Sequence, residues 1–206
     1  NFASIVNAVE EGRIIFANIQ KFVAFLLSCN IGEILIVFFA MLLGMDEPLK
    51  PIHLLWLNLV TDSLPALALG VEPGEPGIME EKPRSKDDPI ITKKMGVAIV
   101  LQSLAITVAS LLAFYYAIKL YPDSITHART IVFATLITSE LLRAFSSRSF
   151  DRPIWKIGFK SNMKMVYAIL ISFTMLLAVL YVPFLHDIFD TCLLYTSPSP
   201  RDATLS

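Results

Sequence analysis

Long blocks of apolar residues alternate with shorter polar segments along this chain. Five blocks stand out: Phe22–Met45, Ile52–Val71, Met95–Ile118, Ala128–Phe145 and Met163–Leu185. An α-helix needs about 20 residues to cross the hydrocarbon core of a bilayer, and backbone groups in lipid must form their hydrogen bonds within the spanning segment. The pattern therefore predicts an all-α membrane protein, built as a bundle of about five transmembrane helices.

The composition of the 206 residues favours a membrane protein over a soluble helical one. Hydrophobic residues make up 55% of the chain and charged residues 17%, whereas soluble globular domains average about 25% charged residues. The mean hydropathy is +0.63. A net charge of −1 gives no reason to expect a nucleic acid partner, so the lipid bilayer is the partner that composition indicates.

Basic residues in the connecting segments predict how the helices are oriented. Segments 72–94 and 147–162 are rich in lysine and arginine, and "DEPLK" and "LYPDSIT" are not. Cytoplasmic loops carry an excess of these residues, so both basic segments and the N-terminus, with Arg13 and Lys21, are predicted to be cytoplasmic. The loop residues concerned are Lys82, Arg84, Lys86, Lys93, Lys94, Arg148, Arg152, Lys156 and Lys160, with Arg143 just before the second segment.

The last residues, "CLLYTSPSPRDATLS", differ in character from the rest of the chain. They show no helical periodicity and are rich in serine and proline. We expect residues 191–206 to be an atypical tail, either a disordered extracytoplasmic extension or, as we favour, non-native sequence that follows the true coding sequence near Thr191.

Three carboxylates lie inside predicted membrane helices, each on a different helix: Glu33, Asp62 and Glu140. An ionisable residue at the centre of a membrane helix costs at least about 2.5 kcal/mol and normally faces the bundle interior with a functional role. Interhelical hydrogen bonding is the alternative explanation, but three carboxylates gathered without compensation would repel one another. A bound cation resolves that conflict.

Amide and hydroxyl groups accompany these carboxylates at helical spacing. Asn30 precedes Glu33 by three residues, and Asn58 and Thr61 precede Asp62, so each set shares one helix face. Pro65 cannot donate a backbone hydrogen bond to residue 61, so we expect the helix to loosen there and to free a carbonyl oxygen as a further ligand.

The donor set predicts the class of cation. Carboxylate, amide and backbone oxygens suit Ca²⁺, which takes six to eight oxygen ligands, whereas a transition metal would be expected to use cysteine or histidine. The nearest such residues, Cys29 and His53, match no ligand spacing with the acids. Cys29 is predicted to be a packing residue within its apolar run.

Four stretches carry a family resemblance: "NFASIVNAVEEGRIIFANIQKF", "CNIGEILIV", "LLWLNLVTDSLPALALGVEP" and "EKPRSKDDPI". In these stretches the chain resembles the C-terminal membrane region of P-type cation ATPases, specifically the sarco/endoplasmic reticulum type of calcium pump and its bacterial relatives. The resemblance implies that residues 1–21 are the end of the phosphorylation domain and a cytoplasmic stalk. Residues 22–190 would be the cation-transport domain, with helices five to nine of the family.

The resemblance also implies a role for each candidate ligand. Asn30, Glu33, Thr61 and Glu140 stand where the family has ligands of its first calcium site, Asn58 where it has a ligand of the second, and Asp62 where one carboxylate bridges both. The resemblance implies that ATP and Mg²⁺ bind in cytoplasmic domains of the same pump, and that the partners of this region are the actuator, phosphorylation and nucleotide-binding domains. No Asp-Lys-Thr-Gly phosphorylation motif occurs in this chain, so the resemblance implies that these residues alone do not hydrolyse ATP.

Several functions remain open at the level of sequence. The resemblance implies a Ca²⁺ pump that forms an aspartyl-phosphate, in the cell membrane of a bacterium or an endomembrane of a eukaryote. The same architecture could carry Na⁺ or Mn²⁺, and a truncated gene could encode a membrane interaction module without transport. A secondary transporter would show internal repeats of its spans, and we find none.

Overall fold

The regular structure of the described residues is helical, as the sequence predicts. The computed structural model describes residues 1–80, 89–150, 152 and 154–192. The helices within them are α1 (Phe2–Leu42), α2 (Pro51–Trp56), α3 (Ser63–Gly70), α4 (Lys93–Leu120), α5 (Ile125–Ser146), α6 (Ile154–Ile157), α7 (Met163–Tyr181) and α8 (Pro183–Phe189). A π-helical segment, Leu57–Thr61, joins α2 to α3, and a 3₁₀ turn covers Phe159–Ser161. The described residues contain no strand, so the predicted all-α fold is confirmed.

The predicted spans agree with the helices except at their ends. Four units are long and apolar enough to cross a membrane: α1, the unit Pro51–Gly70, α4 and α7. The fourth predicted span, Ala128–Phe145, lies in α5, which is not among these four units; ten of the 22 residues of α5 are buried. The basic residues Lys82, Arg84 and Lys86, and most of the atypical tail, lie outside the described residues.

At two of the helix ends that differ from the predicted ones, the difference has a local reason. α1 ends at Leu42 rather than at Met45, because Gly44 adopts a φ of +68° and the N–H groups of Gly44 and Met45 donate to the carbonyls of Met41 and Ala40. This is the Schellman type of helix end. The last predicted span is interrupted at Val182, because Pro183 has no N–H with which to continue α7.

Apolar side chains cover the outside of the bundle, and several small polar ones lie among the apolar residues of its interior. Ile34, Phe38 and Leu101 are 67%, 55% and 62% exposed, which suits helices that face lipid. Inside, the Ser103 hydroxyl on α4 donates to the Ser28 carbonyl on α1 at 2.9 Å. Small residues let membrane helices approach closely, and this distribution is the one expected of a membrane bundle.

The centre of the bundle is α5, which packs against α4 and α7. Val132, Phe133, Leu136 and Ile137 on α5 have no exposed surface. α1 packs along α4 and α3, and α3 also contacts α7. Because α1, α3 and α5 all face the same interior, side chains at matching heights on these helices are brought together.

A buried ion pair joins the ends of several helices at one end of the bundle. Arg148, which follows α5, donates through Nε and Nη2 to Glu72 Oε1 at 2.8 and 2.6 Å. The amide of Asn162, the N-cap of α7, donates to Glu72 Oε2, and the amide of Asn18 on α1 donates to the Glu72 carbonyl at 2.7 Å. We call these four residues the Arg148 cluster.

Candidate cation site

Three helices place potential ligand atoms next to one another in the bundle interior. Cys29 comes from α1, Asp62 from the start of α3 and Glu140 from α5, and one ligand atom of each lies within 4.8 Å of the others. The three side chains belong to residues that are 0%, 1% and 1% exposed. The predicted convergence of Asp62 and Glu140 is therefore present in the structure.

The carboxylates of this group lack hydrogen-bond partners among the described residues. Both oxygens of Asp62, both oxygens of Glu140 and Oε1 of Glu33 are buried without one. A buried charge that is neither paired nor hydrogen-bonded is strongly unfavourable. These five oxygens are thus suited to a positively charged ligand.

Glu33 is held at the edge of this group by an amide on the neighbouring helix. Asn58 Nδ2 donates to Glu33 Oε2 at 2.8 Å and also to the Leu54 carbonyl at 2.9 Å, which uses both of its N–H groups. The Asn58 amide oxygen remains as an acceptor. Glu33 is not one of the three residues whose ligand atoms lie within 4.8 Å of one another, but the charge of Asp62 acts on Glu33 and that of Glu33 acts on Glu140.

The helix widens at the place where Pro65 predicts a disturbance. The segment Leu57–Thr61 is π-helical, and the Asp62 N–H donates to the Leu57 carbonyl at 2.9 Å. Pro65 offers no N–H to the Thr61 carbonyl, which instead accepts from the Ser172 hydroxyl on α7 at 3.2 Å. The predicted loosening is confirmed, but the freed carbonyl already has a partner.

The remaining candidate ligands, Thr61 and Asn30, both donate hydrogen bonds to carbonyls four residues earlier in the chain. The Thr61 hydroxyl is buried and donates to the Leu57 carbonyl at 2.9 Å, which leaves its oxygen lone pairs unused. The Asn30 amide is half-buried and donates to the Leu26 carbonyl of its own helix at 2.8 Å. No hydrogen bond within the described residues joins Asn30 to another candidate ligand.

Cys29 packs in the core of the bundle, as predicted. Its sulfur also lies beside Asp62 and Glu140, a proximity that the sequence did not predict. Spacing along one helix could not reveal this, because the other two ligand atoms come from other helices. His53 is different: Nε2 lies 2.5 Å from the Phe189 carbonyl and Nδ1 accepts from the Lys50 N–H, so both nitrogens are occupied away from the carboxylates.

Arg143 is a further residue whose position the sequence did not indicate. It was counted with the basic loop, but it is only 8% exposed and donates to the Phe25 carbonyl at 2.8 Å and to Gln102 at 3.3 Å. It lies one turn from Glu140 on the same face of α5, and its charge acts on both Asp62 and Glu140. The i, i+3 spacing of Glu140 and Arg143 was the available signal.

Comparison with known proteins identifies relatives that match more than nine-tenths of this chain. The family model described as "Cation transporting ATPase, C-terminus" matches residues 46–200. The calcium-transporting ATPase of Bacillus subtilis is 42% identical over 191 residues, which cover 93% of this chain and 21% of that protein. The endoplasmic reticulum calcium ATPase srcA of Aspergillus fumigatus is 35% identical over 220 residues, covering 92% and 23%.

A third relative broadens the range of organisms. Calcium-transporting ATPase type 2C member 1 of Pongo abelii is 34% identical over 193 residues, covering 93% of this chain and 21% of that protein. The chain therefore spans about a fifth of the length of the relatives it matches.

Proposed function

This chain belongs to the family described as "Cation transporting ATPase, C-terminus", and we propose that it is the membrane portion of an ATP-driven Ca²⁺ pump and supplies the intramembrane ligands for the ion. The observation that carries the proposal is the group of five buried carboxylate oxygens without hydrogen-bond partners, contributed by α1, α3 and α5. A cation that enters this group neutralises carboxylates whose buried oxygens have no hydrogen-bond partner among the described residues and for which Arg143 is the cation nearby. The pump as a whole would form an aspartyl-phosphate from ATP, with Mg²⁺, in domains outside these residues.

The number and type of oxygens support Ca²⁺ as the substrate. The five carboxylate oxygens, the Asn58 amide oxygen and the Thr61 hydroxyl oxygen make seven potential ligands. Ca²⁺ takes six to eight oxygens in flexible geometry, whereas Mg²⁺ demands near-ideal octahedral geometry. Asn30 would bind the cation through its amide oxygen, since its amide nitrogen donates a hydrogen bond to the Leu26 carbonyl.

The length of α1 supports the proposal that residues 1–21 form a stalk. A helix of 41 residues is about 60 Å long at a rise of 1.5 Å per residue, which is twice the thickness of the hydrocarbon core. The part that precedes Phe22 would extend into the cytoplasm and connect the site to the ATP-driven domains. Residues 22–190 would be the transport domain, and residues 191–206 a tail of separate character.

The experiment uses the full-length pump and compares Asp62→Asn with Asp187→Asn. Asp62 offers two unpartnered oxygens to the cation, whereas Asp187 is an exposed residue on α8. We expect Asp62→Asn to raise the Ca²⁺ concentration for half-maximal phosphorylation by ATP at least about a hundredfold, which corresponds to about 2.8 kcal/mol of binding free energy. Asp187→Asn should behave as wild type.

Two results would count against the proposal. Unchanged Ca²⁺-dependent phosphorylation in Asp62→Asn would show that Asp62 is not a ligand of the cation. Activation of the wild-type protein by Na⁺ or Mn²⁺, but not by Ca²⁺, would show that the same architecture transports a different cation.

A further inference from the structure

The Cys29 thiol adds a sulfur ligand to the cluster of buried carboxylates, and a calcium site does not need one. Its sulfur lies within 4.8 Å of ligand oxygens of Asp62 and Glu140, and the residue has no exposed surface. Ca²⁺ binds oxygen ligands, so the sulfur adds nothing to its coordination. Thiolate sulfur is the ligand that softer divalent cations prefer.

The carboxylates beside the thiol are available to such a cation. All four oxygens of Asp62 and Glu140 are buried and lack hydrogen-bond partners within the described part of the chain. Metal–sulfur and metal–oxygen bonds of a thiophilic ion such as Zn²⁺ are about 2.3 and 2.0–2.2 Å long. Two ligands of one ion are then at most about 4.5 Å apart, and the three ligand atoms here all lie within 4.8 Å of one another.

We propose that Cys29, Asp62 and Glu140 form a binding site for thiophilic divalent cations, such as Cd²⁺ or Zn²⁺, at which these ions compete with Ca²⁺. Binding forms a metal–sulfur bond and displaces the thiol proton to solvent. The dication then faces one thiolate and two carboxylates, so most of the negative charge is neutralised. The competition with Ca²⁺ rests on the proposed function, whereas the binding of the metal by Cys29 does not.

The chain provides a matched control for this thiol. The described residues contain two free cysteines, the buried Cys29 and the half-buried Cys192. Cys192 follows α8 and its sulfur lies 3.7 Å from the Thr130 hydroxyl, and its neighbours are not the carboxylates of the site. Replacing either cysteine by serine removes one sulfur and keeps a small polar side chain.

The experiment uses the full-length pump with Cd²⁺ as the probe. The first measurement is the ultraviolet absorption of the Cd²⁺–thiolate bond, recorded without ATP and without Ca²⁺. The second is the Cd²⁺ concentration that halves Ca²⁺-dependent phosphorylation, normalised to each variant's own activity with Ca²⁺. Cys29→Ser, Cys29→Ala and Cys192→Ser are compared with wild type, so that the result does not depend on the folding of one variant.

We expect the absorption band to be weakened in both Cys29 variants and kept in Cys192→Ser. The half-inhibitory Cd²⁺ concentration should rise at least about tenfold in the Cys29 variants, because even indirect partners of metal ligands change affinity ten- to a hundredfold. Equal absorption and equal Cd²⁺ sensitivity in wild type and the Cys29 variants would overturn the proposal. A wild-type pump that does not respond to Ca²⁺ would refute the proposed function, and the absorption measurement would still decide whether Cys29 binds the metal.

Discussion

Replacing Arg148 by methionine tests how strongly the Arg148 cluster stabilises the bundle. The Arg148 side chain has no exposed surface, and its partner Glu72 is 4% exposed. Besides its two hydrogen bonds to Glu72, Arg148 donates to the Gly158 carbonyl at 2.9 Å and to the Ser161 hydroxyl. Methionine fills a similar volume but makes none of these bonds.

The expected loss follows from the charge that would remain. Without Arg148, the buried Glu72 carboxylate keeps one hydrogen bond from a neutral amide, that of Asn162. Removing one partner of a buried ion pair costs about 3–5 kcal/mol, because the other charge is left uncompensated. We therefore expect Arg148→Met to lower the free energy of unfolding by at least about 3 kcal/mol. The double variant Glu72→Gln/Arg148→Met should recover part of this loss, since glutamine carries no charge.

The assay is equilibrium unfolding in mixed micelles, with the denaturing detergent titrated and helix content followed by circular dichroism. Arg129→Met provides the matched control. The Arg129 guanidinium lies 3.6 Å from Asp190, whose side chain is 36% exposed, and partly exposed pairs contribute only about 0–1 kcal/mol. If Arg148→Met loses no more stability than Arg129→Met, the buried pair does not stabilise the bundle as we infer.

Two further predictions concern the cation site itself. Pro65→Ala would restore an N–H donor for the Thr61 carbonyl, so it should stabilise the helix by up to about 3 kcal/mol. It should also raise the Ca²⁺ concentration for half-maximal phosphorylation. If neither the stability nor this concentration changes, the π-helical segment has no role in Ca²⁺ binding. Chelating Ca²⁺ should lower the thermal stability of the wild-type pump, since a ligand at a hundred times its Kd contributes about 2.7 kcal/mol. In Glu140→Gln, chelating Ca²⁺ should change the thermal stability much less than in wild type. The same loss of thermal stability as in wild type would exclude Glu140 as a ligand.

Most of the helical architecture could be predicted from the sequence, because the signals for membrane helices are local. Runs of about 20 apolar residues imply spanning helices wherever they occur. The disturbance before Pro65 and the choice of carboxylates as candidate ligands were also local inferences. The two misplaced helix ends had local signals too, Gly44 and Pro183, which the apolar pattern alone did not reveal.

The sequence by itself determined which segments are helical and which polar groups are too costly to face lipid, since both follow from side-chain chemistry and spacing within one helix. Only the tertiary structure decided which of these groups meet. It placed Cys29 beside Asp62 and Glu140 and buried Arg143 among the helices. It also placed the Ser172 hydroxyl where it donates to the Thr61 carbonyl. The physical reason is that such contacts depend on the rotation and height of each helix relative to its neighbours, and the packing of the whole bundle sets those quantities.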